Sequence, residues 1–494
     1  MTDVARSRAN GLDALLTGLG SPADLGVSGE RHVTVPLDEL AAITAELAQY
    51  GRFVTLATLA NPDRLIATIA VRGELVELAA TIDRTHEYPA VSALVPAATW
   101  AEREVSDASA LRPVGLADMH RFLAPDVDAI GRRLRGDDAF VMPYGPVRSG
   151  VFESIQFVIE TGGEDIPLLD VRPGFKRRGL EARMAGLHTS DGVVVAERVA
   201  GISSVAHAIA YAQAIERALG VAPPRRAELW RVIHAELERI ANHLHCAAQL
   251  AETTALHLGT ARFTILKEDI MRLRARLCGS RFGRGVVIPG GVSADGAISR
   301  GEIVQAIDRF DTDLQRDRKL LVGTTSFTDR LFTTGQLPRR LAETYGVVGP
   351  VARGSGVSTD ARFERPYGAY GRLGWELITR DAGDAMARLQ VRLGEISQSI
   401  HVTRQALDGL ARCDADTHLQ VPDGSGVAWG WSEAAQGEVL YRLAIQAGVI
   451  TTAHIASPSF RNWQVFAHCF PKDVLTDFGF IEHSFQLSTA GADR

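Results

Sequence analysis

The chain has 494 residues, which at roughly 100–200 residues per domain predicts two to four domains with ample material for a core. Hydrophobic residues make up 46% and charged residues 23%, an ordinary globular balance that excludes a disordered, collagen-like or coiled-coil chain. A formal charge of -6 lacks the basic excess that displaces counterions from phosphates, so no nucleic-acid partner is expected. The N-terminal stretch carries Asp3, Arg6, Arg8 and Asp13 without an apolar run, and nowhere do about 18 uncharged apolar residues follow one another, so neither secretion nor a membrane span is expected. Cys246, Cys278, Cys413 and Cys469 are scattered, with no C-x-x-C or Cys/His ligand spacing. That scatter argues against a disulfide framework and against a zinc or iron–sulfur site, and it suits the cytoplasm.

In chain order, residues 32–35 read as extended and 37–50 as a helix, followed by β-rich runs at 53–59, 65–71 and 75–82. Turn signals at Asn61-Pro62-Asp63 and Arg72-Gly73 separate the runs, the pattern of an antiparallel meander packed on a helix. Residues 125–143, with Asp126, Asp128, Asp137, Asp138 and an arginine cluster, read as a linker. Beyond it, 151–160 and 166–171 read as strands, and 203–277 is helical over long windows. Pro223-Pro224 sets a helix start, after which Leu229, Val232, Ile233, Leu237, Ile240, Leu244 and Ala248 recur at helical spacing, as in the centre of a bundle. Further helices are expected at 300–321, 337–345 and 381–410, and a strand at 437–449. The fold class is α+β: a small α+β domain (1–125), a linker (126–142) and a mainly helical domain with a small β element (143–494).

Glycine-rich stretches at 283–285, 354–356 and 424–426 lack the strand-before, helix-after setting of a dinucleotide fingerprint, and no G-x-x-x-x-G-K-S/T occurs. His234, Glu238, Asn242 and His245 share one face of the long helix. They match neither the paired Glu-x-x-His of di-iron bundles nor H-E-x-x-H, and read as polar groups bonding across a buried helix interface. His188 and His401 carry no motif.

A more specific signal lies in Arg178-Gly179-Leu180-Glu181 and in Glu197-Arg198-Val199-Ala200-Gly201-Ile202-Ser203-Ser204-Val205-Ala206-His207. Together with 231–244, Pro289-Gly290-Gly291-Val292, 349–357 and Gly437-Glu438, it resembles the large subunit of nickel–iron hydrogenases of the formate-hydrogenlyase type. It equally resembles the 49 kDa subunit of respiratory complex I, which shares that fold, and the terminal Pro458-Ser459-Phe460 and Asp493-Arg494 resemble complex I in particular. Tyr88-Pro89 and residues 100–104 resemble the 30 kDa complex I subunit, which is fused to the large subunit in formate hydrogenlyase.

For a nickel–iron centre the resemblance implies four thiolates, at positions that fall here on Ala200, Ser203, Ser459 and Asn462. Alanine cannot ligate, and a hydroxyl or carboxamide is a poor substitute for the soft thiolate that holds nickel and iron, so such a centre is disfavoured. In complex I, hairpin histidines and a tyrosine mark the site of the quinone headgroup. The corresponding positions carry Arg148, Phe152 and Gly201. The pocket implied by the resemblance gathers Arg148, Arg178, Glu181, Arg198, Ser203 and His207. A structural reading makes Arg178, Glu181 and Arg198 an ion-pair network that clamps the hairpin to the bundle, and gives His207 a structural hydrogen bond.

The resemblance therefore implies a subunit of a membrane-associated, hydrogenase-related or complex I-like oxidoreductase complex, cytoplasmic and peripheral on the inner face of the cell membrane. It implies docking on a small iron–sulfur subunit above antiporter-like membrane subunits, with electrons passing from that neighbour's clusters to a quinone or similar acceptor. No other cofactor is expected on the chain itself. The alternatives are a hydrogenase component of formate hydrogenlyase, which the missing thiolates oppose, and a non-catalytic scaffold or coupling subunit, which Phe152 and Gly201 favour.

Overall fold

The computed structural model describes Leu12, Leu16 and residues 23–494 apart from 28, 61–62, 110, 118–119, 124, 126, 128–139 and 149–152. In the first domain, β1 (Ala23–Leu25), β2 (Arg31–Thr34), β3 (Gly51–Ala60), β4 (Asp63–Val71) and β5 (Glu74–Thr81) form one sheet in the order β1-β2-β5-β4-β3. The expected antiparallel meander is β3-β4-β5, with Gly51 opposite Val71 and Arg64 opposite Thr81. The strand at the start behaves differently, because β2 joins β5 in parallel. The helix Leu40–Ala48 carries the chain over the sheet, so β2 and β3 run the same way on either side of the β4–β5 hairpin. Its apolar face, Leu40, Ile43 and Leu47, closes the core over Leu65, Ile69 and Leu78.

The far end of the expected linker is structured. Phe140–Tyr144 pairs antiparallel with Gln156–Thr161, which pairs in turn with Leu168–Arg172. Residues 128–139 lie outside the described residues. Composition marked the segment as loop-like because the charged cluster dominates it, whereas the strand depends on partners that follow in sequence.

The long helical stretch resolves into Ser204–Ala218, Arg225–Thr253 and His257–Cys278. Pro224 stands just before the central helix, where a fixed φ and a missing N–H cost nothing. That helix is buried on nearly every face, between His257–Cys278 and Ala385–Leu410. The β element is a three-stranded antiparallel sheet of Gly426–Ala434, Gly437–Gln446 and Val449–Ala456. The expected strand at 437–449 thus ends in a tight turn, where Ala447 and Gly448 both take positive φ. The sheet lies directly on Ser204–Ala218. A Cβ at Gly430 would stand 2.0 Å from the Ala210 carbonyl oxygen, so only glycine permits that approach. The same sheet meets the first domain, where Thr55 Oγ1 and His454 Nε2 are 2.9 Å apart.

Candidate functional site

The turn at 197–203 leaves the short helix Gly192–Ala196 and enters Ser204–Ala218. Two side chains of the central helix hold it. Glu238 accepts the Val205 and Ala206 N–H groups at 2.8 and 3.1 Å, satisfying donors that a helix start leaves without partners. Asn242, one turn further on, donates to Ile202 O at 2.5 Å and accepts from Gln436 at 3.3 Å. These two residues bond across the buried interface as expected. His234 Nδ1, by contrast, is buried with no hydrogen-bond partner among the described residues.

The thiolate positions of the two motifs sit close to this turn. Ala200 is buried against the C-terminal turn Thr489–Asp493, and a Cβ on Gly491 would lie 3.2 Å from its methyl group. Ser203 is buried at the head of its helix. Ser459 Oγ accepts the Ser488 N–H at 3.0 Å. Asn462 accepts the Val348 N–H at 3.0 Å and donates to Val348 O at 2.9 Å and Gln436 O at 3.5 Å. Gln436 and Asn242 thereby connect the second motif to the first. A methyl, two hydroxyls and a carboxamide, with Ser459 and Asn462 already bonded to backbone, do not fit a nickel–iron centre. The cysteines are placed elsewhere: Cys246 donates to His483 O and Cys469 to Val465 O. Among the described residues, no three His, Cys, Asp or Glu side chains are grouped to hold a metal ion.

The pocket residues separate into distinct roles. Arg178 donates to Arg198 O and Val199 O, both at 2.6 Å, and to Ala490 O at 2.8 Å. Glu181 accepts the Ile455 N–H at 2.7 Å and lies 3.3 Å from His454 Nδ1 and 3.4 Å from Arg494. Burial opposes its ionisation, yet Arg494 and His454 hold it at about 2. Arg198 is half-exposed and donates to Val194 O at 2.6 Å, within its own turn. The expected network among Arg178, Glu181 and Arg198 therefore does not form, because the turn and the C-terminal segment present three carbonyls to Arg178 while Glu181 faces the β element. Arg148 is also elsewhere. It forms a bidentate pair with Glu482 at 2.9 and 2.7 Å and lies over the Tyr144 and Phe157 rings. Gly201 is exposed, with only Arg284 within 4 Å of a built Cβ. Phe152 lies outside the described residues. His207 is buried, its Nδ1 2.8 Å from the Tyr441 hydroxyl, and burial lowers its pKa to about 3, which makes the contact a structural one between neutral groups.

Sequence reasoning did not single out Glu153, His454, Asp493 and Arg494 as site residues. Glu153 caps the C-terminal turn, accepting from Ser488 Oγ at 3.0 Å, Ala490 N–H at 3.2 Å and Thr489 N–H. Asp493 accepts the Gly174 and Lys176 N–H groups at 2.8 and 2.7 Å, and burial raises it to about 6. Arg494 is buried and bonds Glu104 and Ile455 O as well as Glu181. A cavity of about 270 Å³ opens beside Glu181, Arg494, Gly179 and Thr452. Its wall carries a carboxylate and a guanidinium. The dipeptide Asp493-Arg494 was visible as a match, but its contacts depend on the fold.

A bundle around one long buried helix, a three-stranded β element, and two motifs that meet at 200–203 and 459–462 define a hydrogenase-type large-subunit domain without its thiolates. Comparison with known proteins agrees. Residues 33–139 match the 30 Kd subunit of respiratory-chain NADH dehydrogenase, 178–251 the nickel-dependent hydrogenases, and 260–420 the 49 Kd subunit of respiratory-chain NADH dehydrogenase. Formate hydrogenlyase subunit 5 of Escherichia coli (strain K12) is 27% identical, over 83% of this chain and 77% of its own. Carbon monoxide-induced hydrogenase of Rhodospirillum rubrum is 30% identical, over 72% of this chain and 99% of its own. A chain of the membrane-bound sulfane sulfur reductase, an archaeal respiratory membrane complex, shares the fold with a TM-score of 0.68 at 23% identity, covering 72% of this chain and 99% of that one. The chain belongs to the family of hydrogenase large subunits and complex I 49 kDa subunits, with a 30 kDa-type domain fused ahead of it.

Proposed function

We propose that this chain is the hydrogenase-type subunit of a membrane-associated oxidoreductase complex, carrying electrons from a partner's iron–sulfur clusters to a quinone or similar small acceptor without a nickel–iron centre. The observation that carries the reading is the fate of the ligand positions: the family fold is retained, but Ala200, Ser203, Ser459 and Asn462 supply no thiolate, and Ser459 and Asn462 bond to backbone. No helix among the described residues is long and apolar enough to cross a membrane, which supports a peripheral place on membrane partners such as antiporter-like subunits. In this reading Glu181 and Arg494 hold the headgroup at the mouth of the adjoining cavity, with Arg178 fixing the turn behind it. His454 stands between Thr55 and Glu181, 3.3 Å from the Glu181 carboxylate. A bound quinone would supply the redox chemistry.

The test uses the purified complex, assayed for nickel by elemental analysis, for hydrogen evolution from a reduced dye, and for reduction of a short-chain quinone. The expected result is no stoichiometric nickel, no hydrogen evolution, and quinone reduction whose KM rises in Glu181→Gln. Stoichiometric nickel or hydrogen evolution overturns the proposal. The backbone bonds that occupy Ser459 and Asn462 also favour a second reading, a coupling subunit without chemistry of its own. An intact complex that turns over unchanged with Glu181→Gln and Arg178→Gln would establish that reading instead.

A further inference from the structure

The junction between the two domains contains a second cavity, of about 450 Å³, between the β3–β4 end of the sheet and the 342–364 segment. Arg52 and Arg72 line it, and so do the left-handed glycines Gly73 and Gly346. A Cβ on Gly346 would lie 2.8 Å from Arg52 Cγ, and one on Gly73 would lie 2.7 Å from Glu364 O, so both walls are shaped by the absence of a side chain.

The charge behind that cavity is unbalanced. Glu438 pairs directly with three guanidinium groups: Arg52 at 2.5 Å, Arg461 at 3.8 Å, and Arg365 in closer contact. Arg365 and Arg461 are buried, and the Arg52 side chain is 11% exposed. Arg52 Nη1 and Arg365 Nε and Nη1 have no hydrogen-bond partner among the described residues. Glu364 lines the cavity and attracts the cluster, and Glu343 on the same wall is held by Arg339 at 2.8 Å. Counting Arg72, four guanidinium groups stand against Glu438, Glu364 and Glu433, and Glu433 is itself held by Arg353 at 3.0 Å. Buried donors left without acceptors cost stability, and guanidinium groups with spare N–H donors match the oxygen geometry of an oxyanion.

We propose that this interdomain cavity binds a phosphate-sized oxyanion, held by Arg52 with Arg365 behind it and Arg72 at the rim, and that the anion ties the 30 kDa-type domain to the helical domain. Burial depresses the protonation of Arg52, and burial together with repulsion from neighbouring arginines depresses that of Arg365, lowered to about 9, and of Arg461; a bound anion relieves that strain. The site is separate from the Glu181 cavity, so it stands or falls independently of the acceptor reading.

The test is calorimetric titration of the full chain with inorganic phosphate at ionic strength held constant by sodium chloride, together with the melting temperature. We expect saturable binding at one site per chain, a melting temperature that rises with phosphate, and affinity at least about tenfold weaker in Arg52→Gln. Arg72→Gln, at the exposed rim, keeps the test decisive if Arg52→Gln does not fold, and it too weakens binding. Glycerol 2-phosphate provides a second arm: tighter binding than phosphate identifies a phosphomonoester, and equal or weaker binding identifies the free anion. No saturable heat, equal stabilisation by chloride, or unchanged affinity in folded Arg72→Gln overturns the proposal.

Discussion

Glu77 on β5 and Arg442 on the Gly437–Gln446 strand meet across the domain junction, with Arg442 Nε donating to Glu77 Oε1 at 2.6 Å. Trp429 Nε1 donates to the same oxygen at 2.6 Å, and His32 Nδ1 lies 2.8 Å from the other. One carboxylate, 1% exposed, therefore gathers three partners from two domains and fixes how they sit together.

Removing that carboxylate leaves a buried guanidinium and indole without their acceptor. Glu77→Ala is expected to destabilise the chain by about 3–5 kcal/mol, measured by urea unfolding. Glu30 and Glu77 raise His32 to about 9, so the contribution of His32 is fully present below its unfolded pKa and is lost as pH rises through about 9. In Glu77→Gln that alkaline loss should shrink; an unchanged loss would show that Glu30 alone sets it.

Acid stability carries the opposite sign. Burial lowers His207 and His234 to about 3 and His243 to about 4, so the unfolded chain binds protons at these sites while the folded chain does not. Stability should rise with pH from about 4 to 6.5, each such histidine contributing up to about 1.4 kcal/mol per pH unit. Melting curves of His207→Gln against the parent chain check this, and equal slopes for the two would contradict it.

Arg148 is expected to affect stability rather than acceptor binding. Both its Nη groups go to Glu482, and its side chain is 2% exposed. Arg148→Ala should cost about 3–5 kcal/mol, and Arg148→Lys should recover only part of that because lysine cannot make the bidentate pair. Quinone kinetics of the lysine variant should keep the parent KM. A raised KM at unchanged stability would return Arg148 to the pocket.

Asp493 offers a local pH signature. Burial raises its folded pKa to about 6, above the usual carboxylate range, so its contribution to stability is greatest near pH 4 and declines as pH rises through 6. Asp493→Asn removes that decline. The difference in melting temperature between the two chains should vary across pH 4 to 7, and a constant difference would rule out the assignment.

Much of the fold was legible locally. The spacing of Leu229, Val232, Ile233, Leu237 and Ile240 marked the central helix, and turn residues marked the β3-β4-β5 meander, because both signals lie within one element. The parallel pairing of β2 with β5 and the Phe140–Tyr144 strand were not legible, since each is defined by a partner elsewhere in the chain.

The same division holds for the site. The sequence by itself determined which chemical groups stand at the ligand positions of the family, because an alanine, a serine or an asparagine lacks a thiolate in any fold. Only the tertiary structure decided what the charged residues hold: Arg148 reaches Glu482 across 334 positions, Glu181 meets Arg494 across 313, and Arg178 turns to backbone carbonyls. Side-chain composition is local, but the partner of a buried charge is whichever group the packed chain brings within hydrogen-bond reach.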